Sequence, residues 1–134
     1  MEKNQLYYDF SFNEETKMVF GIGIDIIEVA RVRNLAEKSQ RFLKRIFTPE
    51  EVAYCSQKKN SHQHLAARFA AKEAFFKALG KRIKWTDVEL YNLPSGKPQL
   101  KIKDKERFSF SEVHVSLSHL AEYAAAMVVL EGKK

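Results

Sequence analysis

A long helical segment, Ser61 to Leu79, places the strongest limit on how this chain can fold. It is rich in Ala, Leu, Lys and Glu, which favour helices, and Gly80 follows it, the residue type most often found just past a helix C-terminus. Before this segment the pattern predicts one strand and shorter helices. After it, apolar and polar residues alternate as they do in strands. The order predicts an α+β fold with a mostly antiparallel sheet.

The other elements follow from periodicity and turn signals. They are a strand from Met18 to Ile27, helical pieces from Glu28 to Lys38, Gln40 to Ile46 and Thr48 to about Gln57, a hairpin formed by a strand from Val88 and by Gln99–Ile102 around Pro94–Pro98, and a hairpin of Val113–Ser118 with Tyr123–Leu130. Gly21 and Gly23 leave room for a close approach to the first strand. Residues 1–17 differ in pattern and are interpreted as an N-terminal extension of open order. Residues 18–134 form one predicted domain.

Composition narrows the class of protein. A chain of 134 residues with 45% apolar content suffices for one domain with a core. The net charge of +6 favours an anionic partner, which could be nucleic acid, a phosphorylated cofactor or an acidic protein. Cys55 is the single cysteine, so no internal disulfide is expected. The apolar stretches are too short to span a bilayer, and residues 1–17 lack a signal-peptide layout. The expected location is cytoplasmic.

Two carboxylates stand where the pattern calls for apolar residues. Asp25 lies in a run of Ile, where an uncompensated charge is costly to bury, and Glu73 shares its helical face mainly with apolar residues. Simpler interpretations stay open, because Asp25 can cap the following helix and Glu73 can pair with Lys77. Together, two such carboxylates favour a hard cation with few protein ligands, which is magnesium. Cys55 and the scattered histidines lack the spacing of zinc ligands.

Basic residues surround the same helix. Arg68, Lys72 and Lys77 lie on it, and Lys97 lies on the predicted turn. Such cations suit phosphate oxygens, although a solvated charged face is the simpler explanation for any single lysine. The sequence contains neither a P-loop nor a dinucleotide-binding fingerprint.

Residues 28–45 form a basic segment. Its positive residues are Arg31, Arg33, Lys38, Arg41, Lys44 and Arg45. Apolar residues interleave with them, which suits a partner surface that combines cationic steering with an apolar anchor. An amphipathic helix with a basic outer face explains the pattern equally well, and a basic helix also fits nucleic acid.

The motifs, taken in order, resemble those of the holo-acyl-carrier-protein synthases of the 4′-phosphopantetheinyl transferase superfamily. The resemblance covers Met18 to Glu131. Its motifs are Gly21-Ile22-Gly23-Ile24-Asp25-Ile26, Phe47-Thr48-Pro49-Glu50-Glu51, Ala67-Arg68-Phe69-Ala70-Ala71-Lys72-Glu73-Ala74-Phe75-Phe76-Lys77-Ala78, Ser95-Gly96-Lys97-Pro98 and His114-Val115-Ser116-Leu117-Ser118-His119. The first and third of these, in this order and at this separation, are highly specific together.

The resemblance implies a role for several residues. Asp25 and Glu73 would hold magnesium and, with Lys77, make up the catalytic group. The residues expected near the phosphates of coenzyme A are Arg68, Lys72, Lys77, Lys97 and His119. The residues expected to dock the acidic recognition helix of an acyl carrier protein are Arg31, Arg41 and Arg45.

The resemblance also implies a reaction and an assembly. The serine hydroxyl of the carrier would attack the pantetheine-side phosphorus of coenzyme A, and adenosine 3′,5′-bisphosphate would leave, in the service of fatty acid biosynthesis. A homotrimer with sites at subunit interfaces is expected, and neither nucleic acid nor a membrane is expected as a partner. From the residues alone, a nucleic-acid-binding module and a non-catalytic relative stay open as alternatives. The sequence identifies neither the physiological carrier nor the general base.

Overall fold

The computed structural model describes residues 16–133, with only the backbone of Lys133 included. The extension predicted for residues 1–17 therefore lies almost wholly outside the described residues. The strands are β1 (Lys17–Glu28), β2 (Val88–Asn92), β3 (Pro98–Ile102), β4 (Glu112–His119) and β5 (Tyr123–Lys133). The helices are α1 (Val29–Lys38), α2 (Gln40–Ile46), α3 (Pro49–Ser56) and α4 (Ser61–Leu79), and short 3₁₀ turns cover Trp85–Asp87 and Lys105–Arg107.

The strands form two antiparallel units. One is a three-stranded sheet in the order β1-β5-β4, and the other is the β2-β3 hairpin. The central strand β5 pairs with β1 along its whole length, apart from a register shift between Val19 and Gly21. The α+β class and the antiparallel pairing predicted from the sequence are confirmed, and the predicted bounds of α4 coincide with those observed.

The helix α4 packs across one face of the three-stranded sheet, closest to β1. A Cβ built on Gly21 would lie 2.0 Å from the carbonyl oxygen of Ala78, and one on Gly23 would lie 1.9 Å from that of Ala74. Both distances are far shorter than atoms can approach, so the two glycines are needed for this contact. The close approach predicted for them is confirmed, and it brings the backbones of β1 and α4 together next to Asp25.

The helix α3 begins with the predicted capping box. The Oγ1 of Thr48 accepts a hydrogen bond from the amide of Glu51 at 3.2 Å, and the Glu51 carboxylate accepts one from the amide of Thr48 at 2.9 Å. Pro49 occupies the first turn, where its missing N–H costs nothing. Glu51 is buried, so this local cap also carries a carboxylate into the core.

The other side of the three-stranded sheet is an open, largely apolar surface, here called the outer face. It comprises Ile22, Ile24 and Ile26 on β1, Ala125, Met127 and Val129 on β5, and His114, Ser116 and Ser118 on β4. The three isoleucines are between 64% and 67% exposed within the chain. An apolar patch of this kind is typical of an interaction surface. Among the described residues, no helix is long and apolar enough to cross a membrane.

Candidate active site

Asp25 and Glu73 come together where β1 crosses α4. Asp25 alternates with Gly21 and Gly23, so its side chain leaves β1 on the face that packs against the helix. Glu73 precedes Ala74, whose carbonyl oxygen is in contact with Gly23. Each carboxylate side chain is 16% exposed. The two are close enough for the charge of Glu73 to raise the pKa of Asp25.

Lys77 is the partner of Asp25. Its ammonium donates to Oδ1 of Asp25 at 3.3 Å and to the carbonyl oxygen of Ile24 at 2.9 Å. The Asp25 carboxylate does not cap the following helix, whose N-cap residue is Glu28 and has no side-chain cap bond. Lys77 therefore pairs with Asp25 rather than with the neighbouring Glu73. Both simpler interpretations, a helix cap at Asp25 and a Glu73–Lys77 pair, were wrong.

The pKa of Asp25 is raised above its ordinary value, chiefly because burial disfavours the charged carboxylate. The hydrogen bond and charge of Lys77 oppose this increase, the charge of Glu73 adds to it, and the more distant charge of Arg31 opposes it. Because the pKa of Asp25 is raised even with Lys77 beside it, a further cation would stabilise the ionised carboxylate.

Arg82 is the partner of Glu73, and no motif in the sequence points to it. Its Nη1 and Nη2 atoms donate to Oε1 and Oε2 of Glu73 at 3.0 and 3.2 Å, a two-point ion pair. The side chain of Arg82 is 64% exposed. It lies just past the helix end at Gly80, where the chain turns back, so helical periodicity carries no signal of this contact.

The donor set at this site fits magnesium. Two carboxylates reach it from different elements, and their oxygens are the ligands that a hard cation prefers. The cations that now neutralise them, Lys77 and Arg82, are both more than half exposed. Asp25 and Glu73 are therefore the residues of this site that could hold such an ion.

Lys72 lies inside the protein, which corrects the prediction that it contacts a phosphate. Its ammonium donates to Oε1 of Glu51 at 2.6 Å, to the carbonyl oxygen of Ile46 at 2.7 Å and to that of Trp85 at 3.2 Å. Neither side chain of the Lys72–Glu51 pair is exposed. Burial lowers the pKa of Lys72, and the charge and hydrogen bond of Glu51 oppose that shift. All three N–H groups are taken by interior acceptors, so Lys72 has a structural role.

Arg68 is also buried, but its guanidinium is not fully satisfied. It donates to Oδ1 of Asn92 at 2.8 Å and stacks 4.4 Å from the ring centroid of Tyr54. Its Nε is buried and has no hydrogen-bond partner among residues 16–133. Because a buried donor without an acceptor is costly, this atom is the type of group that an anion or a water molecule would satisfy.

Arg68 belongs to a group of positive and imidazole side chains, here called the basic cluster. Its members are Lys58, His64, Arg68 and His119. The rings of His64 and His119 lie 5.6 Å apart, and Nδ1 of His119 is 3.1 Å from Oε1 of Gln63. Burial lowers the pKa of His64, and the charges of Arg68, His119 and Lys58 lower it further. The predicted phosphate residues Arg68 and His119 therefore share one electropositive location.

Lys97 lies away from these contacts, on the exposed turn between β2 and β3. It lines a cavity of about 510 Å³ together with Lys105 and residues of β4. The β4–β5 pairing also gathers Glu112, His114 and Glu131, whose spacing in the sequence gave no sign of proximity. Glu112 already pairs with Lys17, and Nε2 of His114 already contacts a carboxylate oxygen of Glu131, so no role at the site is assigned to them.

The three arginines predicted to bind a carrier protein line two separate cavities. Arg41 and Arg45 line a cavity of about 890 Å³ with Arg82 and Trp85. Arg31 lines a smaller hollow of about 230 Å³ with Ile26, Ile27, Glu28 and Tyr123 at the end of β1. Arg41 and Arg45 therefore share a cavity with Arg82, the partner of Glu73, and Arg31 is near enough to Asp25 for their charges to interact.

Comparison with known proteins identifies the family. The model of the 4′-phosphopantetheinyl transferase superfamily matches residues 21–128. The chain belongs to this superfamily. It is 48% identical to the holo-[acyl-carrier-protein] synthase of Geobacter sulfurreducens over 124 residues, which cover 85% of this chain and 98% of the relative.

Solved structures agree with this membership. A holo-(acyl-carrier-protein) synthase from Bacillus anthracis in complex with CoA (3′,5′-ADP) has a TM-score of 0.74 and 38% identity, covering 87% of this chain and 99% of that one. The Helicobacter pylori holo-[acyl-carrier-protein] synthase in complex with coenzyme A has a TM-score of 0.75 and 31% identity, covering 81% and 98%. This phosphopantetheinyl transferase is thus an enzyme of the holo-[acyl-carrier-protein] synthase type, and the alternative of a non-catalytic relative is set aside.

Proposed function

We propose that this enzyme transfers the 4′-phosphopantetheine group of coenzyme A to a serine of apo acyl carrier protein, with magnesium held by Asp25 and Glu73. The main support is the pairing of two largely buried carboxylates, one on β1 and one on α4, each neutralised by an exposed and replaceable cation. The relatives named above support this proposal. All three are holo-acyl-carrier-protein synthases, and the structures of two of them contain coenzyme A or its bisphosphate fragment.

Several groups around the site would each contribute to such a transfer. Transfer of a phosphoryl-type group depends on positioning and on stabilising negative charge. Lys77 would place a second positive charge on the pyrophosphate oxygens. Magnesium, when bound, neutralises charge on the diphosphate. The serine proton would pass to Asp25, to Glu73 or to a water held beside them.

The basic cluster is the proposed contact for a further phosphate of coenzyme A. Among the described residues the buried Nε of Arg68 has no hydrogen-bond partner, and burial together with neighbouring positive charge lowers the pKa of His64. A phosphate would accept hydrogen bonds from Arg68 and favour the protonated form of His64. Lys97 is retained as a further candidate contact, whereas Lys72 is not.

The carrier surface proposed here is the basic segment with Arg31, Arg41 and Arg45. Arg41 and Arg45 line the same cavity as Arg82, which is bound to Glu73. An acidic helix seated there would lie beside Arg82, the partner of Glu73, and so close to the proposed site of transfer. Fatty acid biosynthesis is the proposed pathway.

A homotrimer is the proposed assembly. The outer face exposes Ile22, Ile24, Ile26 and Met127 in a single chain. Packing this face against sister subunits would remove apolar area from water, at roughly 25 cal/mol for each Å². A sister subunit would help to complete the site, because the carboxylates of Asp25 and Glu73 are each still 16% exposed in a single chain.

Mass spectrometry of an apo carrier protein incubated with this enzyme, coenzyme A and magnesium tests the activity. A gain of about 340 Da on the carrier is expected, the mass of the phosphopantetheine arm. Glu73→Gln should abolish the gain, and Glu106→Gln, on an exposed 3₁₀ turn, should leave it intact. Undiminished transfer by Glu73→Gln at saturating magnesium would contradict the proposed metal site.

A further inference from the structure

The contact between Arg82 and Glu73 occupies the carboxylate that the proposed function assigns to a metal ion. Both oxygens of Glu73 accept from Arg82, at 3.0 and 3.2 Å. A divalent ion cannot bind the same oxygens while the guanidinium holds them. The side chain of Arg82 is 64% exposed. Water can therefore hydrate its guanidinium when it leaves the carboxylate, and little packing is lost.

The guanidinium of Arg82 also lies against the rings of Trp85 and Phe76, here called the aromatic platform. The guanidinium carbon lies 5.5 Å from the ring centroid of Trp85 and 5.6 Å from that of Phe76. Trp85 is itself fixed, stacked on Phe69 at 5.2 Å and set edge-on to Phe76 at 4.9 Å. Cation–π attraction depends on the ring face rather than on one donor atom. Arg82 can therefore turn away from Glu73 without leaving the platform.

The space beside the platform is a basic cavity of about 890 Å³. Its lining residues are Ser39, Arg41, Phe42, Arg45, Ile46, Arg82 and Trp85, with three arginines and no carboxylate among them. Three guanidinium groups around one space repel one another until an anion enters. An acidic side chain set against Phe42 and Trp85 would meet both the charge and the apolar surface of this cavity.

We propose that Arg82 is an exchangeable counter-ion of Glu73, which a divalent metal ion displaces and which then binds a carboxylate of the acyl carrier protein in the cavity it shares with Arg41 and Arg45. This inference rests on the proposed function for the metal and the carrier. Arg82 is a positioning residue, because it acts through Glu73 and through the docked partner. Reciprocity then requires that metal and carrier strengthen each other's binding.

Binding of Mn²⁺, followed by electron paramagnetic resonance without coenzyme A or carrier, tests the displacement. Arg82→Gln should bind Mn²⁺ about 2- to 5-fold more tightly than the wild type, the range expected for removing a competing ion pair whose cation is solvent-exposed. Arg82→Lys, which keeps the charge and loses the two-point contact, should lie between them. The matched control is Arg107→Gln, since Arg107 pairs with Asp87 at 3.3 Å and stacks on Phe108. It should leave Mn²⁺ affinity unchanged.

Adding apo carrier protein tests the second half of the exchange. Carrier should tighten Mn²⁺ binding to the wild type several-fold and should have no such effect on Arg82→Gln. In steady-state assays, Arg82→Gln should raise KM for the carrier several-fold, leave KM for coenzyme A unchanged and lower the magnesium needed for half-maximal rate.

Equal Mn²⁺ affinity of the wild type and Arg82→Gln would overturn this inference and leave the proposed metal site intact. If Mn²⁺ binding is instead the same in Glu73→Gln as in the wild type, the metal site of the proposed function fails as well. Thermal unfolding of each variant checks folding. Should Arg82→Gln unfold, unchanged Mn²⁺ affinity in Arg82→Lys would overturn the inference in the same way.

Discussion

Lys72 and Glu51 form an ion pair in the interior of the protein, with Nζ of Lys72 2.6 Å from Oε1 of Glu51 and neither side chain exposed. The pair ties three elements together. Lys72 belongs to α4 and Glu51 to the cap of α3, and Oε2 of Glu51 also accepts from the amide of Leu90 in β2 at 3.0 Å. The buried charges are thus surrounded by hydrogen bonds, the condition under which an interior ion pair is tolerated.

Replacing Lys72 by Met should lower the free energy of unfolding by about 3–5 kcal/mol, because the Glu51 charge would stay buried without its partner. Urea denaturation at neutral pH measures this. The double variant Lys72→Met/Glu51→Gln should be more stable than Lys72→Met alone, since no unpaired charge remains. Lys103→Met, at an exposed position, should change stability by no more than about 0.5 kcal/mol. A loss below about 1 kcal/mol for Lys72→Met would show that the pair is not needed.

Gly23→Ala should separate β1 from α4, since the new Cβ would lie 1.9 Å from the backbone oxygen of Ala74. A backbone atom cannot turn aside as a side chain does, so the cost should reach or exceed the roughly 1–3 kcal/mol typical of overpacking. Moving Asp25 away from Glu73 should also weaken Mn²⁺ binding. Gly132→Ala is the control, because its Cβ would approach the oxygen of Ser109 only to 3.3 Å. Similar stability losses in the two variants would argue against a specific contact.

Met127→Glu should prevent association through the outer face. Met127 lies between Ile24 and Ser116 in the register of the sheet, so a carboxylate there would be buried in any packed interface. Light scattering after size-exclusion chromatography should give a trimer for the wild type and a monomer for the variant, with loss of transfer. Tyr91→Glu is the matched control, since Tyr91 and Met127 are equally exposed at 43%. A trimeric Met127→Glu would place the interface elsewhere.

His64 should titrate below its ordinary pKa of 6.5 in the free enzyme, because burial and three neighbouring positive groups disfavour the imidazolium. Binding of coenzyme A would place phosphate charge beside it, stabilise the protonated form and raise the pKa. By linkage, coenzyme A should then bind more tightly as the pH falls through that range. Proton NMR of the histidine ring measures both values. Adenosine, which lacks phosphate, should leave the pKa where it is, and an unchanged value with coenzyme A would remove the basic cluster from the site.

Contacts between residues close in the sequence explain which parts of the fold were predictable. Thr48, Pro49 and Glu51 cap α3 through contacts three residues apart, and Gly80 ends α4 in the left-handed region with φ of 85°. Such signals lie within one turn of helix, so the sequence contains them in full. The strand containing Asp25 was recognised for the same reason, by its local run of apolar residues.

The sequence by itself determined the order of the elements and the ends of the main helix. Through the resemblance of its motifs to a superfamily, it also predicted Asp25 and Glu73 as the two carboxylates of the site. It did not determine which cations of α4 face inward. Apolar residues occur on all sides of this helix, so no stripe separates its inside from its outside. Only the packing of α3, the hairpin and β1 around it decided that Lys72 is enclosed, that Lys77 reaches Asp25 and that Arg82 returns to Glu73. Those contacts join residues distant in the chain, and their energies depend on burial, which exists only once the tertiary structure has formed.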